Sequence, residues 1–252
     1  MPRDTLTREQ IVRAAIELLD AEGLEGLNMR SLGKRLDSAA TAVYWHVKNK
    51  DNLVILASNE VWNEVGLPDL DTVDWRTAAT TMATDLYRMV TAHPWLVMAF
   101  ASQPLYGENK ARHDDHSLAV FEKAGFVGAE ADQAAAAVFT FVLGHSIGLS
   151  ATVSVNRRLT NAGRNAQETI REAMTQATEI AMRFPHLRER VDSFAAGDYG
   201  AAPEHSFEFG LQAILDGIEH RLGARSLPLP DRDDRTDRTD RAGAEDLDSV
   251  HR

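Results

Sequence analysis

Apolar positions recur at helical spacing along most of the chain, and no segment alternates convincingly as a strand. Thr7-Arg8-Glu9-Gln10 has the form of a capping box, so a helix should start there. Ile11, Val12, Ala15, Ile16 and Leu19 give that helix one apolar face, and Gly23 can take the left-handed conformation that stops it. Asn28 can cap a short second helix to about Leu36, with Met29, Leu32 and Leu36 facing inward. Asp37-Ser38 breaks the pattern. A third helix is expected over 39–46 with Val43 as its buried anchor. Asn49 then caps a long fourth helix carrying Leu53, Val54, Leu56, Ala57, Val61 and Trp62, which Gly66-Leu67-Pro68 ends.

From Asp74 to Leu222 the pattern is again helical. Helices are expected over 75–91, 95–101, 108–124, 131–155, 167–184 and 204–222. Turns or stops fall at His93-Pro94, Pro104 to Gly107, Gly125, Asn161 to Arg164 and Pro185, and a Gly/Ala loop over 193–203. The segment 131–155 is apolar nearly all round, which predicts burial on several sides. After Pro228-Leu229-Pro230 the chain becomes an Asp/Arg/Thr repeat almost free of apolar residues. Such a composition cannot offset its ordering entropy, so 227–252 is expected to be a disordered charged tail.

The remaining composition narrows the classes. No run of eighteen apolar residues stands out, and the first residues lack the apolar core of a signal peptide, so no membrane partner is expected. Cysteine is absent, which excludes disulfides and thiolate metal sites and fits a cytoplasmic protein. The net charge of −11 argues at first against a polyanionic partner. Its distribution argues otherwise. Between Asn28 and Lys50, Arg30, Lys34, Arg35, Lys48 and Lys50 face Asp37 alone, a local basic patch of the kind a DNA-reading module needs.

The patch coincides with two short helices joined by a tight turn. The second is too short and too polar on one face to be a core helix, and two lysines follow it at once. A helix of this size presents its first residues to base edges in a major groove while neighbouring cations hold phosphates. The run Leu27-Asn28-Met29-Arg30-Ser31-Leu32-Gly33-Lys34-Arg35-Leu36, followed by Thr41-Ala42-Val43-Tyr44-Trp45-His46-Val47-Lys48-Asn49-Lys50, resembles the DNA-binding domain of the tetracycline-repressor family. Phe207-Glu208-Phe209-Gly210-Leu211 with Gly217-Ile218-Glu219 resembles the last helix of the same family.

The resemblance implies an all-α fold: an N-terminal three-helix helix-turn-helix domain (1–50), a connecting helix (51–66) and a larger helical ligand-binding and dimerisation domain (67–226). It implies a repressor, not an enzyme, that binds a palindromic operator as a homodimer and is released by a small molecule whose exporter it often controls. Arg30 falls at a base-contacting position, Ala40 and Thr41 at the leading end of the recognition helix, Tyr44, Trp45 and His46 at the groove edge or backbone, and Lys50 on phosphate. The chemistry agrees, since arginine pairs bidentately with guanine and Thr41 or Ala40 can pack on a thymine methyl. Asp37 stands where the family has a turn glycine; aspartate tolerates the left-handed region better than most residues.

Dimer contacts are implied for 131–155, with its small Ala134 to Ala137, Gly144 and Gly148, and for 204–222. Aligned with the family, Met82, Leu86 and Phe100 occupy positions of polar and metal-binding pocket residues, and Gly66 replaces a second histidine. No metal and no cofactor are therefore expected. A pocket lined by Met82, Leu86, Trp95, Phe100 and Phe139, with polar orientation from Gln103 or His145, suits a bulky, largely apolar compound. Two other readings stay open: a metal-dependent helical enzyme using His113, Asp115 and His116, the two histidines sharing a helix face, and a DNA binder without a sensor.

Overall fold

The computed structural model describes residues 6–163, 165–193 and 203–225. Among them there are eleven α-helices and no strand. The helices are α1 (Arg8–Gly26), α2 (Met29–Arg35), α3 (Ala40–Val47), α4 (Lys50–Val61), α5 (Trp75–Ala92), α6 (Trp95–Ser102), α7 (Glu108–Ala124), α8 (Ala129–Asn161), α9 (Ala166–Ala181), α10 (Pro185–Ser193) and α11 (Pro203–Arg225). A single 3₁₀ turn, Trp62–Glu64, ends α4. The expected charged tail over 227–252 and the expected loop over 193–203 lie wholly or mostly outside the described residues.

The capping signals act as read. Thr7 Oγ1 accepts from the Gln10 backbone while Gln10 Oε1 accepts from the Thr7 backbone, satisfying two donors at the start of α1. Asn28 and Asn49 cap α2 and α4 through their side-chain oxygens. The head of the molecule closes over Ile11, Ala15, Leu19, Leu32, Val43, Val47 and Leu53, all shut off from solvent. Asp37 carries the turn between α2 and α3 at φ 48°. The turn is tight because Gly33 lets the backbone approach: a Cβ there would stand 2.8 Å from the Ser38 carbonyl oxygen.

Gly23 breaks α1 without ending it. At φ 70° it kinks the chain, and one more turn continues to Gly26. The kink seats the far end of α8, whose Arg157 donates to the Asp20 carbonyl at 3.0 Å. The Asp20 carboxylate accepts from His93 Nδ1 at 2.7 Å and from Trp95 Nε1 at 2.8 Å, and His93 Nε2 reaches Glu64 at 3.0 Å. One junction thus joins α1, the 3₁₀ turn, the bend before α6 and the end of α8. Burial works against charge on His93, but the two carboxylates outweigh it and hold the imidazole above its ordinary pKa.

In the larger body, α5, α7, α8 and α11 pack together. Asp74 caps α5, its carboxylate accepting from Arg76 and Thr77. Arg76 ties α5 to α11 through Gln212 at 2.8 Å, Glu219 at 2.7 Å and Asp216. α9 ends at Ala181, ahead of Pro185, and Pro185 itself begins α10; proline suits a first turn, where its missing N–H is not needed.

Helix α8 corrects a second expectation. By length and composition it could cross a bilayer. Its inner stripe, Ala131, Ala134, Val138, Val142, Ser146 and Ser150, is buried like that of a core helix, while Ile147 and Val153 on other flanks are exposed. A single chain does not cover it on several sides.

Two outcomes follow from this packing. Gly33→Ala should destabilise the protein by about 1–3 kcal/mol in urea unfolding, because the obstructing atoms are backbone and cannot rotate away. An unchanged midpoint would mean that the α2–α3 turn has room to spare. For His93, the folded pKa lies above the unfolded value of about 6.5, so its contribution is complete below that pH and fades as pH rises through the folded pKa. Unfolding measured from about pH 5.5 to 8.5 should show wild type losing stability relative to His93→Gln. Parallel curves would remove His93 from the account.

Candidate DNA-binding face and effector cavity

α3 has two unlike sides. Val43 and Val47 are fully buried against the head's core. On the other side Thr41 is open, Tyr44 is 48% exposed and Trp45 is 86% exposed. An indole held in water at a helix surface is costly unless a partner covers it. His46 is half-buried with its ring edge-on to Trp45 at 5.8 Å, and Ala40 is half-buried at the helix start. Arg30 projects from the first turn of α2 and is exposed. Thus Arg30, Thr41, Tyr44 and Trp45 lie in solvent on the helix pair, with Ala40 and His46 at its margin.

The cations sort differently from the sequence expectation. Lys50 is half-buried, and its ammonium donates to the Leu24 carbonyl at 2.5 Å. It satisfies the end of α1, where exposed carbonyls attract a positive charge. Lys50, expected on phosphate, is turned toward the end of α1 in this structure, whereas Lys48, just after α3 at φ 62°, is exposed. Arg35 is held by Glu17 at 2.7 Å. Lys34 is exposed.

In the body, Met82 and Leu86 of α5, His113 and Phe121 of α7, and Phe139 of α8 line a cavity of about 20 Å³, room for roughly one water molecule. Phe100 joins its rim through edge contacts with Phe139 at 6.2 Å and Trp62 at 6.4 Å. Met82, Leu86 and Phe139, with Phe100 against Phe139, thus lie together, the grouping that the family resemblance implies.

Trp95, Gln103 and His145 are not part of this group. Trp95 faces α1 through its bond to Asp20 and borders the crevice between head and body. Gln103 follows α6 in extended backbone, away from the cavity wall. His145 packs among Tyr87, Phe141 and Phe207, on the α11 side of α8.

Three residues complete the site instead. Trp62 lies 4.8 Å from the His113 ring and 6.3 Å from Phe139, nearly parallel to the latter. Its Nε1–H is buried and meets no acceptor among the described residues. An unmet donor of this kind costs about 1–3 kcal/mol. Lys110 Nζ lies 4.7 Å from the Phe139 ring centroid and 5.0 Å from that of Trp62, and pairs with Asp114. Burial raises the Asp114 carboxyl's pKa, but the His113 hydrogen bond and Lys110 outweigh it and hold it below its ordinary value. His113 is buried toward Trp62, whereas His116 bonds the Pro68 carbonyl at 2.9 Å. The two histidines go to different neighbours, which removes the shared metal face considered from the sequence.

The mechanical connections run through α4. Asn59 Oδ1 accepts from the Asn109 backbone, and Asn109 Nδ2 donates to the Asn59 carbonyl, both at 2.9 Å. The start of α7, at the residue just before Lys110, is stapled to α4.

Comparison with known proteins agrees with this architecture. Residues 11–57 match the profile described as bacterial regulatory proteins of the tetR family, and residues 67–222 match the tetracyclin repressor-like C-terminal domain. An HTH-type transcriptional regulator of Saccharopolyspora erythraea is 36% identical over 220 residues, 86% of each chain. The HTH-type transcriptional repressor DrrR1 of Streptomyces coeruleorubidus is 29% identical over 86% of this chain and 79% of its own. The tetracycline repressor protein class C of Escherichia coli is 29% identical over 85% of this chain and 91% of its own. Among solved structures, Streptomyces coelicolor ActR in complex with actinorhodin superimposes with a TM-score of 0.70 at 25% identity, covering 89% of this chain and all of ActR. With head and body both accounted for by one family, the chain belongs to the tetR family and is a DNA-binding transcriptional repressor.

Proposed function

We propose that this repressor binds a palindromic operator as a homodimer and is released when a bulky, largely apolar aromatic compound opens the cavity between α5, α7 and α8. The observation that carries the reading is the position of Trp62. It stands where α4 ends, and its ring is part of the cavity's aromatic rim. The same α4 begins beside α3 and is stapled to α7 by Asn59. A ligand that spreads the rim must push α4, and α4 carries the head.

The division of labour is 1–50 for DNA, 51–66 for connection and 67–226 for sensing and pairing. Arg30, Thr41 and Ala40 read bases, Tyr44, Trp45 and His46 line the groove edge, and Lys48 with Lys34 holds phosphates. Pairing uses α8 and α11, whose outward residues include Ile147, Val153 and the 78% exposed Phe209. A two-fold pair sets its recognition helices ~34 Å apart, a spacing that tolerates little error. About 3 kcal/mol of preference for the released spacing lowers operator affinity more than a hundredfold. By reciprocity, operator lowers ligand affinity by the same factor. The regulated gene is proposed to export or neutralise the sensed compound, in keeping with relatives named for tetracycline repression and with ActR bound to actinorhodin.

On DNA, Arg30→Ala should cost about 1–3 kcal/mol at one base pair of each half-site. Lys48→Ala should weaken all sequences alike and flatten the salt dependence by about one unit per contact. Binding-site selection distinguishes them: an Arg30→Ala protein that returns the wild-type motif unchanged does not read that base through Arg30. In the body, Leu86→Trp should fill the cavity and lower affinity for anthraquinone, a planar apolar probe, by tenfold or more in a fluorescence titration, while the dimer still binds operator. Unaltered probe binding by that variant would place the ligand elsewhere.

A further inference from the structure

We propose that the compound sensed is a planar aromatic acid, its anionic oxygen paired with Lys110 and another oxygen receiving the Trp62 indole N–H. The proposal rests on the cavity reading above and adds the chemical class of the occupant.

The donors around the aromatic rim outnumber the acceptors. Lys110 is only 12% exposed, although its partner Asp114 sits one turn along the same helix and is 36% exposed. A pair of this spacing normally stays at the helix surface in water. Here the ammonium is drawn over Phe139 and Trp62, with Tyr106 at 6.0 Å. An ammonium has three N–H donors. The two Asp114 oxygens, at 2.5 and 2.6 Å, take two, and no third oxygen bonds to it among the described residues. The Trp62 N–H beside it is unmet as well. Ring packing explains why Trp62, Phe100 and Phe139 are present. It does not explain a cation and an unpaired N–H placed together among them.

The arrangement selects by charge and shape. Near-parallel faces of Trp62 and Phe139, inclined by 23°, offer stacking to a flat ring system, with Phe100 edge-on to both. A cationic amine would meet Lys110 and be repelled. A neutral hydrocarbon would stack but leave both donors unmet. A flat acid satisfies them, and His113, with Nδ1 3.4 Å from Asp114, remains beside the carboxylate as Lys110 turns to the ligand.

The test uses the full-length protein with an anthraquinone carboxylate and its methyl ester, titrated calorimetrically. Wild type should bind the acid at least tenfold more tightly than the ester, as expected for a buried charge-assisted hydrogen bond. Lys110→Met should abolish that preference by weakening the acid alone, and Lys110→Arg should restore most of it. Trp62→Phe should weaken acid and ester by a similar factor of several. Equal binding of acid and ester by wild type, binding of neither, or a preference that survives in Lys110→Met overturns the proposal. Leu86→Trp separates the two claims. If it blocks acid and ester together while their ratio in wild type is near one, the cavity stands and the acid preference falls. If it spares both, the cavity assignment itself falls.

Discussion

The structure turns on one aspartate. Asp20 lies near the C-terminal end of α1, in the DNA-binding head, yet its carboxylate is used by His93 and Trp95 of the body and its carbonyl by Arg157 at the end of α8. Glu64 of the connecting turn closes the group from the other side of His93. His93 is buried between these carboxylates, so removing either partner leaves a buried ring nitrogen unmet. Head and body are therefore held in a defined orientation by a polar junction, with Gly23 supplying the close approach that lets Arg157 in. A sensing event that changes the reach of the head has to strain or shift this junction.

An acidic protein on DNA is less paradoxical once its cations are followed individually. Arg35 is neutralised by Glu17, and Lys50 is spent on the end of α1. Arg30, Lys34 and Lys48 remain exposed around α3, next to an indole that has no reason to face water. The exposed basic surface of the helix pair is thus small, and an exposed aromatic pair, Tyr44 and Trp45, shares it. Between Asn28 and Lys50 the only acidic residue is Asp37; most of the chain's acidic residues lie elsewhere and set the total.

The cavity between α5, α7 and α8 is nearly closed. A space for one water is far smaller than a drug-sized ligand requires, so occupancy must come with movement of the surrounding helices. The helices are connected so that this movement has a destination. α7 is tied to α4 by Asn59 and Asn109, and Trp62 joins the rim to the end of α4. An aromatic cluster of this kind is packed but not locked, because among the described residues its central indole meets no acceptor and its lysine has a donor to spare.

Much of this was legible in the chain itself. Thr7-Gln10, Asn28, Asn49, Asp74 and Gly125 mark helix ends by local hydrogen bonding and backbone preference, which depend on few neighbours. The 3.6-residue period located the helices; Met82, Leu86 and Phe100 were grouped through the family resemblance, and the fold sets Met82 and Leu86 beside Phe139, with Phe100 against Phe139. What the period leaves open is the crossing angle of one helix over another. That angle turned Trp95 toward α1, put His145 with Phe207, buried Lys110 over two rings and drew Lys50 inward. Long side chains with a charged head and an apolar stem can go either way, and only the tertiary surroundings choose. Local sequence determined where the helices are; the packing between them decided which of their polar groups are drawn inward, which reach solvent and which hold the two halves together.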